Sequence, residues 1–333
     1  MPQTPNQQVK QQNLHLVRML LYAHSPATKA QLAALSGLSV VTLGSLIAQL
    51  RKTGEVLEDA LLPSDGGRPA RAYRLNSDYA HALTLFVLQK NGEYMLYRSV
   101  CDLMGKELQR EETVCLAALH AQIPAVAASC CQADPQIRVI AIGIPGQAMA
   151  GTVRFCDAPG LVGTPLQTLV QAQTGCRVLI ENDMNAAAYG FACRTLPKED
   201  ECTVGMYFPL CKGPGAGILL GSRMLRGKLG MSGELGALPH SIDWEHPPAP
   251  FEQVISDCVQ AVTAVLAPER VIIYREGLNL AALESCMNRC WAELPIRPEL
   301  VTTEALAPDY ALGMRRLALD LLLPPITKRS QQP

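Results

Sequence analysis

A chain of 333 residues, 48% apolar and 18% charged, is long enough for two or three cores and too apolar to be disordered. Its net charge of −1 gives no overall attraction to nucleic acid or an anionic membrane. No window offers the roughly 20 apolar residues a bilayer span needs.

The N-terminus lacks the charged start and apolar run of a signal peptide. The twelve cysteines show neither zinc-ribbon spacing nor a CxxC pair. A cytoplasmic protein with reduced, mostly buried thiols and no metal is expected. Charge is unevenly distributed: residues 1–54 contain no Asp or Glu but carry Lys10, Arg18, Lys29, Arg51 and Lys52. That segment alone predicts an anionic partner.

From about Gln11 to His24, apolar residues recur at helical spacing (Leu14, Val17, Leu20, Leu21) and predict an amphipathic helix. Thr28 is positioned to cap a second helix, Lys29 to Ser36. Gly37-Leu38-Ser39 then reads as a tight turn, with Ser39 capping a third helix to about Thr53 and Gly54 following it. Helix, glycine-containing turn, helix is the helix-turn-helix pattern. Its candidate DNA contacts are Thr28 and Lys29 with Ser39, Val41, Thr42, Ser45 and, further along, Gln49, the third helix's short polar and methyl-bearing side chains suiting base edges. Glu55 to Glu58 and Ala72 to Leu75 read as a strand pair enclosing a turn-rich tip, 64–71, with Arg68 and Arg71 aimed at phosphates or the minor groove. The whole is a winged helix-turn-helix over residues 1–78 for double-stranded DNA, or else a plain helical packing module with a solvated hairpin.

After Tyr79 the pattern becomes that of an α/β domain. Strands are predicted at 81–88, 93–100 and 107–112, a helix at 116–133, and a buried strand at 139–144 running into Pro145-Gly146. Gly146 there lets the backbone approach a ligand closely. A helix at 165–174 and a strand at 177–180 lead to Glu181-Asn182-Asp183, where a strand gives way to a small-residue helix. Polar side chains at the carboxyl end of a buried strand mark a ligand site, although Asn182 or Asp183 is equally readable as a helix N-cap. Further on, 203–208 and 216–220 form a strand pair around the glycine-rich stretch 213–217, a weak phosphate-cradle signal. Glu234 stands between Gly233 and Leu235-Gly236.

Taken in order, these stretches resemble the ROK family of bacterial sugar kinases and winged-helix, sugar-responsive repressors. The resemblance is carried by Gly66-Gly67-Arg68-Pro69, Ile142-Gly143-Ile144-Pro145-Gly146, Glu181-Asn182-Asp183-Met184-Asn185-Ala186, and Gly213 to Gly217 followed by Gly233-Glu234-Leu235-Gly236. It implies a two-lobed, actin-like sugar-kinase fold, with lobes at 79–190 and a shortened 191–333. It places Asp183 where family kinases hold a general base, with Gly146, Asn182 and Glu234 as further ligand contacts.

The departures shape the expected function. Family kinases open this domain with an Asp-x-Gly-x-Thr phosphate loop, but here the place reads Phe86 to Gly92 without an acid or a Gly-Thr pair. Val271 to Gly277 stands where an adenosine Gly-Gly is expected. ATP is therefore not expected, and no residue is assigned as catalytic. The family's zinc is not expected either, because Ala237 takes the histidine place, 247–252 lacks cysteines, and His240 and His246 read as surface residues. The resemblance also implies lost helical material between Glu252 and Pro268. The expected function is a homodimeric, DNA-binding regulator of sugar or amino-sugar genes, most readily a repressor. Its sensor would be non-catalytic and respond to a carbohydrate or sugar phosphate. The alternatives are an active sugar kinase with an N-terminal appendage, and a ligand-blind scaffold acting through protein contacts.

Overall fold

The first helix, α1 (Pro5–His24), buries Leu14, Val17 and Leu21, residues spaced to share one helical face. They belong to a computed structural model that describes residues 5–64, 67–90, 92–115, 118–210, 212–238, 242–244, 246, 250–291 and 296–323. A two-residue strand, β1 (Ala27–Thr28), leads into α2 (Lys29–Ser36) and α3 (Val40–Lys52). Thr28 and Gln31 close a reciprocal capping box on α2, and Gly37 ends that helix at φ +71°. Ser39 Oγ accepts from Thr42 N at 3.1 Å to start α3. The two helices meet at 113°, the angle of a helix-turn-helix.

β2 (Val56–Ser64) and β3 (Gly67–Leu75) follow as an antiparallel pair, with β1 on the far side of β3. Pairing runs out to Ser64 opposite Gly67, so the strands are longer and the tip narrower than the sequence predicts. Pro63 is tolerated because β2 is an edge strand, and Pro69 because β1 is too short to reach it. Arg71 consequently lies within a strand. Arg68 is also in β3, but its side chain lies outside the described residues.

The remainder is two halves of one topology. The first comprises β4 (His81–Lys90), β5 (Glu93–Cys101), β6 (Glu107–Val114), α4 (Leu119–Ala133) and β7 (Ile137–Ile144). A small hairpin, β8 (Gly146–Met149) and β9 (Thr152–Cys156), precedes α5 (Leu166–Thr174), β10 (Arg177–Asn182) and α6 (Asp183–Thr195). The second half has β11 (Cys202–Tyr207), β12 (Gly215–Leu220), β13 (Arg223–Met224), α7 (Phe251–Leu266), β14 (Arg270–Tyr274), α8 (Leu280–Trp291), β15 (Glu299–Thr303) and α9 (Ala307–Leu322). The sheet orders are β10-β7-β4-β5-β6 and β13-β12-β11-β14-β15. Each joins an antiparallel three-strand meander to two parallel strands. The interval 252–268, where the resemblance implies lost helix, is filled by α7.

Residues alternate along β4 between two cores. Leu83, Leu85 and Val87 pack with α4 and α5, while Ala82, Phe86 and Leu88 face α6 and α9. A third core joins α7 and α8 to the other face of the second sheet. The closing helices of the two halves, α6 and α9, thus form a central layer between the sheets. Their backbones nearly touch: a Cβ on Gly190 would lie 1.9 Å from Asp309 O, and one on Gly313 1.8 Å from Ala186 O. Gly143 in β7 likewise leaves room for the Tyr310 ring of α9. No single helix among the described residues is long and apolar enough to cross a membrane.

Candidate ligand cleft and nucleic-acid face

β10 runs parallel to β7 and ends at Asn182, so α6 begins at the carboxyl edge of the first sheet. The N-cap reading of this turn holds, and the turn also opens on a cavity. Asn182 is the N-cap, its Oδ1 accepting from Asn185 N at 3.0 Å, while its Nδ2 donates to Gly146 O at 3.1 Å and Asp183 Oδ1 at 2.9 Å. Its polar atoms therefore already hold the turn together. Glu181 is buried, its Oε1 accepting from Asn182 N and Asn185 Nδ2 and its Oε2 ion-paired to Arg226 at 2.5 Å.

Asp183 faces an open cavity of about 670 Å³ between the halves. Its Oδ1 accepts from Met184 N at 2.8 Å and from Asn182 Nδ2 at 2.9 Å. Burial pushes its carboxyl up to about 7, against the Met184 N–H bond and with added repulsion from Asp157 and Glu234. Glu234 enters from the second half and is also raised, first by burial and then by Asp157, while a hydrogen bond from Gln147 opposes the shift. Four carboxylates, those of Asp157, Asp183, Glu234 and Asp243, thus line one cavity with the rings of Tyr94, Tyr207 and Trp244.

Lys212 crosses the cavity. Its Nζ lies 2.7 Å from Tyr94 OH on β5 and 3.2 Å from Asp157 Oδ2 beyond β9, tying the β11–β12 loop to the first half. Burial alone would lower its pKa, but Tyr94 and Asp157 outweigh it and the net shift is upward. Sequence reasoning misses Asp157, Gln147, Tyr94 and Lys212, because they come from four separate loops and strands. Gly146, assigned by the sequence to ligand approach, lines the cavity, and its lack of a Cβ also makes room for the chain itself: a Cβ there would lie 2.2 Å from Phe155 O. In the 213–217 stretch Gly213 and Gly215 line the cavity, while a Cβ on Gly217 would lie 2.1 Å from Met184 O in α6.

At the stretch where the resemblance implies the kinases' phosphate loop, β4 continues to Lys90 and pairs with Glu93. Gln89 Nε2 donates to Gly92 O, and Lys90 Nζ donates to Glu112 at 3.0 Å. Among the described residues the hairpin is thus held by its own side chains, Asn91 lying outside them. At the end of β14, Arg275 donates to the carbonyls of Phe208 and Pro209 and stacks over Phe251, filling the place expected for Gly-Gly. Ala237 brings no ligand, His246 is exposed beside Asp243, and no group of three His, Cys, Asp or Glu among the described residues lies close enough to hold a metal. His240 lies outside the described residues.

At the N-terminal module, α3 buries Leu43, Leu46, Ile47 and Leu50 and turns Ser39, Val41 (84% exposed), Thr42 and Ser45 outward. Gln49 is half-buried further along. Thr28 is not on this face: it is 5% exposed and its hydroxyl caps α2. Lys29 lies over the Tyr73 ring, 5.5 Å from its centroid. The basic charge is partly matched within the module, because Arg18 pairs with Glu55, Arg51 and Arg71 with Glu58, and Arg74 with Asp59.

Known proteins place this architecture. The ROK family profile matches residues 81–261. A xylose repressor of Caldicellulosiruptor bescii is 25% identical over 235 residues, covering 68% of this chain; the chain spans 58% of that relative's length. A ROK family transcriptional regulator, described as a homolog of the E. coli MLC protein, superposes with a TM-score of 0.70 at 18% identity, over 95% of this chain and 98% of that one. A ROK hexokinase from Thermus thermophilus covers 73% of this chain and 99% of its own, with a TM-score of 0.56 at 18% identity. Their shared fold is the two-lobed, actin-like one built here from β4 to α9, and the chain belongs to the ROK family.

Proposed function

We propose that this protein is a transcriptional regulator that binds double-stranded DNA through its winged helix and senses a small polyhydroxylated ligand in a cleft that performs no phosphoryl transfer. The observation carrying the reading is α3, which with its cap presents Ser39, Val41, Thr42 and Ser45 to solvent, in a winged module that precedes the ROK domain. A xylose repressor among the relatives supports repression of sugar genes. The cleft keeps Asp183 and Glu234 for hydroxyl groups, since each carboxylate can accept from a sugar O–H. The closed β4–β5 hairpin argues against use of ATP, because phosphoryl transfer depends on a backbone cradle for phosphate charge.

Homodimerisation belongs to this proposal, since one recognition helix reads only a half-site. Selection from a random duplex library tests the reading and needs no operator sequence to begin with. Enrichment of inverted repeats, lost in a Thr42→Ala, Ser45→Ala variant, is the expected result. Failure to enrich any sequence, or ADP release with a sugar and ATP, would remove it.

A further inference from the structure

The central helices reach beyond the cleft to the DNA-binding module. α6 starts at Asp183 in the cavity and carries Tyr189 further along its length. Tyr189 OH donates to Asp320 Oδ2 on α9 at 2.6 Å. The other oxygen of Asp320 pairs with Arg316 Nε at 3.0 Å. The same guanidinium donates to Tyr22 OH on α1 at 3.4 Å and lies over that ring, 5.7 Å from its centroid. One unbroken chain of polar contacts therefore joins the cleft helix to the first helix of the winged module.

Apolar packing runs beside it. Leu323, just past α9, and Leu103, beyond β5, are buried in the winged-helix core with Leu14 and Val17. At its other end α9 is locked to α6 by the Gly190 and Gly313 backbone approach, which leaves no room for either helix to shift alone.

We infer that α6 and α9 move as a unit, and that the chain Tyr189–Asp320–Arg316–Tyr22 transmits occupancy of the cleft to the winged helix. This rests on the regulator reading proposed above, to which it adds the route of regulation. Ligand at Asp183 would bias the start of α6. Because Tyr189 is held to α9, that bias re-aims Arg316 and loosens or tightens α1 beneath the recognition helices. Asp320 and Arg316 act as positioning residues, since neither lines the cavity.

The test is a double-mutant cycle on the full chain, with hydrogen exchange of the α1 amides as readout and neither DNA nor ligand present. Tyr189→Phe and Tyr22→Phe alter residues that do not bond one another, so independent structural roles would give additive effects. The expected result is about fivefold faster α1 exchange in Tyr189→Phe, the size of one lost hydrogen bond, with no further acceleration when Tyr22→Phe is already present. Unchanged α1 exchange in Tyr189→Phe, or the same acceleration in both backgrounds, would overturn the inference. Because DNA is not used, a protein that binds no operator would fail the function reading while leaving this cycle interpretable. Asp320→Asn, which keeps the size and weakens both contacts, gives an independent second variant with the same expectation.

Discussion

Replacing Asp183 by Asn should make the protein more stable above neutral pH, and by an amount that depends on pH. The carboxyl is raised from 3.8 to about 7, chiefly by burial, so the native state holds its proton where the unfolded chain has released it. Below about pH 4 both states are protonated and stability is full. As pH rises toward 7 the native state binds more protons than the unfolded one, and stability falls; above about 7 the loss is complete. About three pKa units correspond to about 4 kcal/mol, and the open side of the cavity should reduce the realised loss to about 2 kcal/mol. Asn keeps an oxygen to accept from Met184 N and Asn182 Nδ2, so the turn geometry survives while the ionisation penalty disappears. Urea unfolding at about pH 5 and about pH 8 measures the difference. A variant advantage of about 2 kcal/mol at the higher pH that shrinks toward the lower one is expected. An equal difference at both values, or a variant less stable at the higher pH, would refute the reasoning.

Removing the hydroxyl at the start of α3 should separate stability from recognition. Ser39→Ala loses the cap on Thr42 N and should cost about 1 kcal/mol, whereas Thr42→Val should leave the melting temperature nearly unchanged and weaken DNA binding roughly fivefold or more, as read by fluorescence anisotropy. Gly313→Ala places a Cβ 1.8 Å from the Ala186 carbonyl, and since neither backbone can yield, it should cost about 3 kcal/mol in chemical denaturation or abolish soluble expression. Lys212→Met removes a half-exposed ion pair and should lower stability by under about 1 kcal/mol, yet it frees Tyr94 and Asp157 and should speed amide exchange in the β4–β5 hairpin.

The parts of the molecule legible in the sequence are those decided locally. Thr28, Gly37 and Ser39 announce helix ends because a cap needs only three or four neighbouring residues. The strands of the first sheet show as well, since a central strand such as β4, buried from His81 to Leu88, is mostly apolar. What a glycine approaches is not local: Gly146 lines the cavity and also makes room for β9, and Gly217 makes room for α6. The pairing of acids at 55–59 with arginines of the N-terminal module also depends on the fold, so the local absence of acid overstates its positive charge. Lys212 bridging Tyr94 and Asp157 joins positions far apart along the chain, and nothing around any of them signals the others. The shared topology of the two halves is likewise a property of pairing order.

The most direct test of the account is to map where the tagged protein sits on its host's genome and read the bound sites for symmetry. The account predicts sharp, two-fold-related sites whose half-site centres lie about 10 base pairs apart, or a multiple of that, beside genes for sugar use, with occupancy that falls as salt rises. Uniform signal without symmetric sites, from a protein that remains folded, would contradict it.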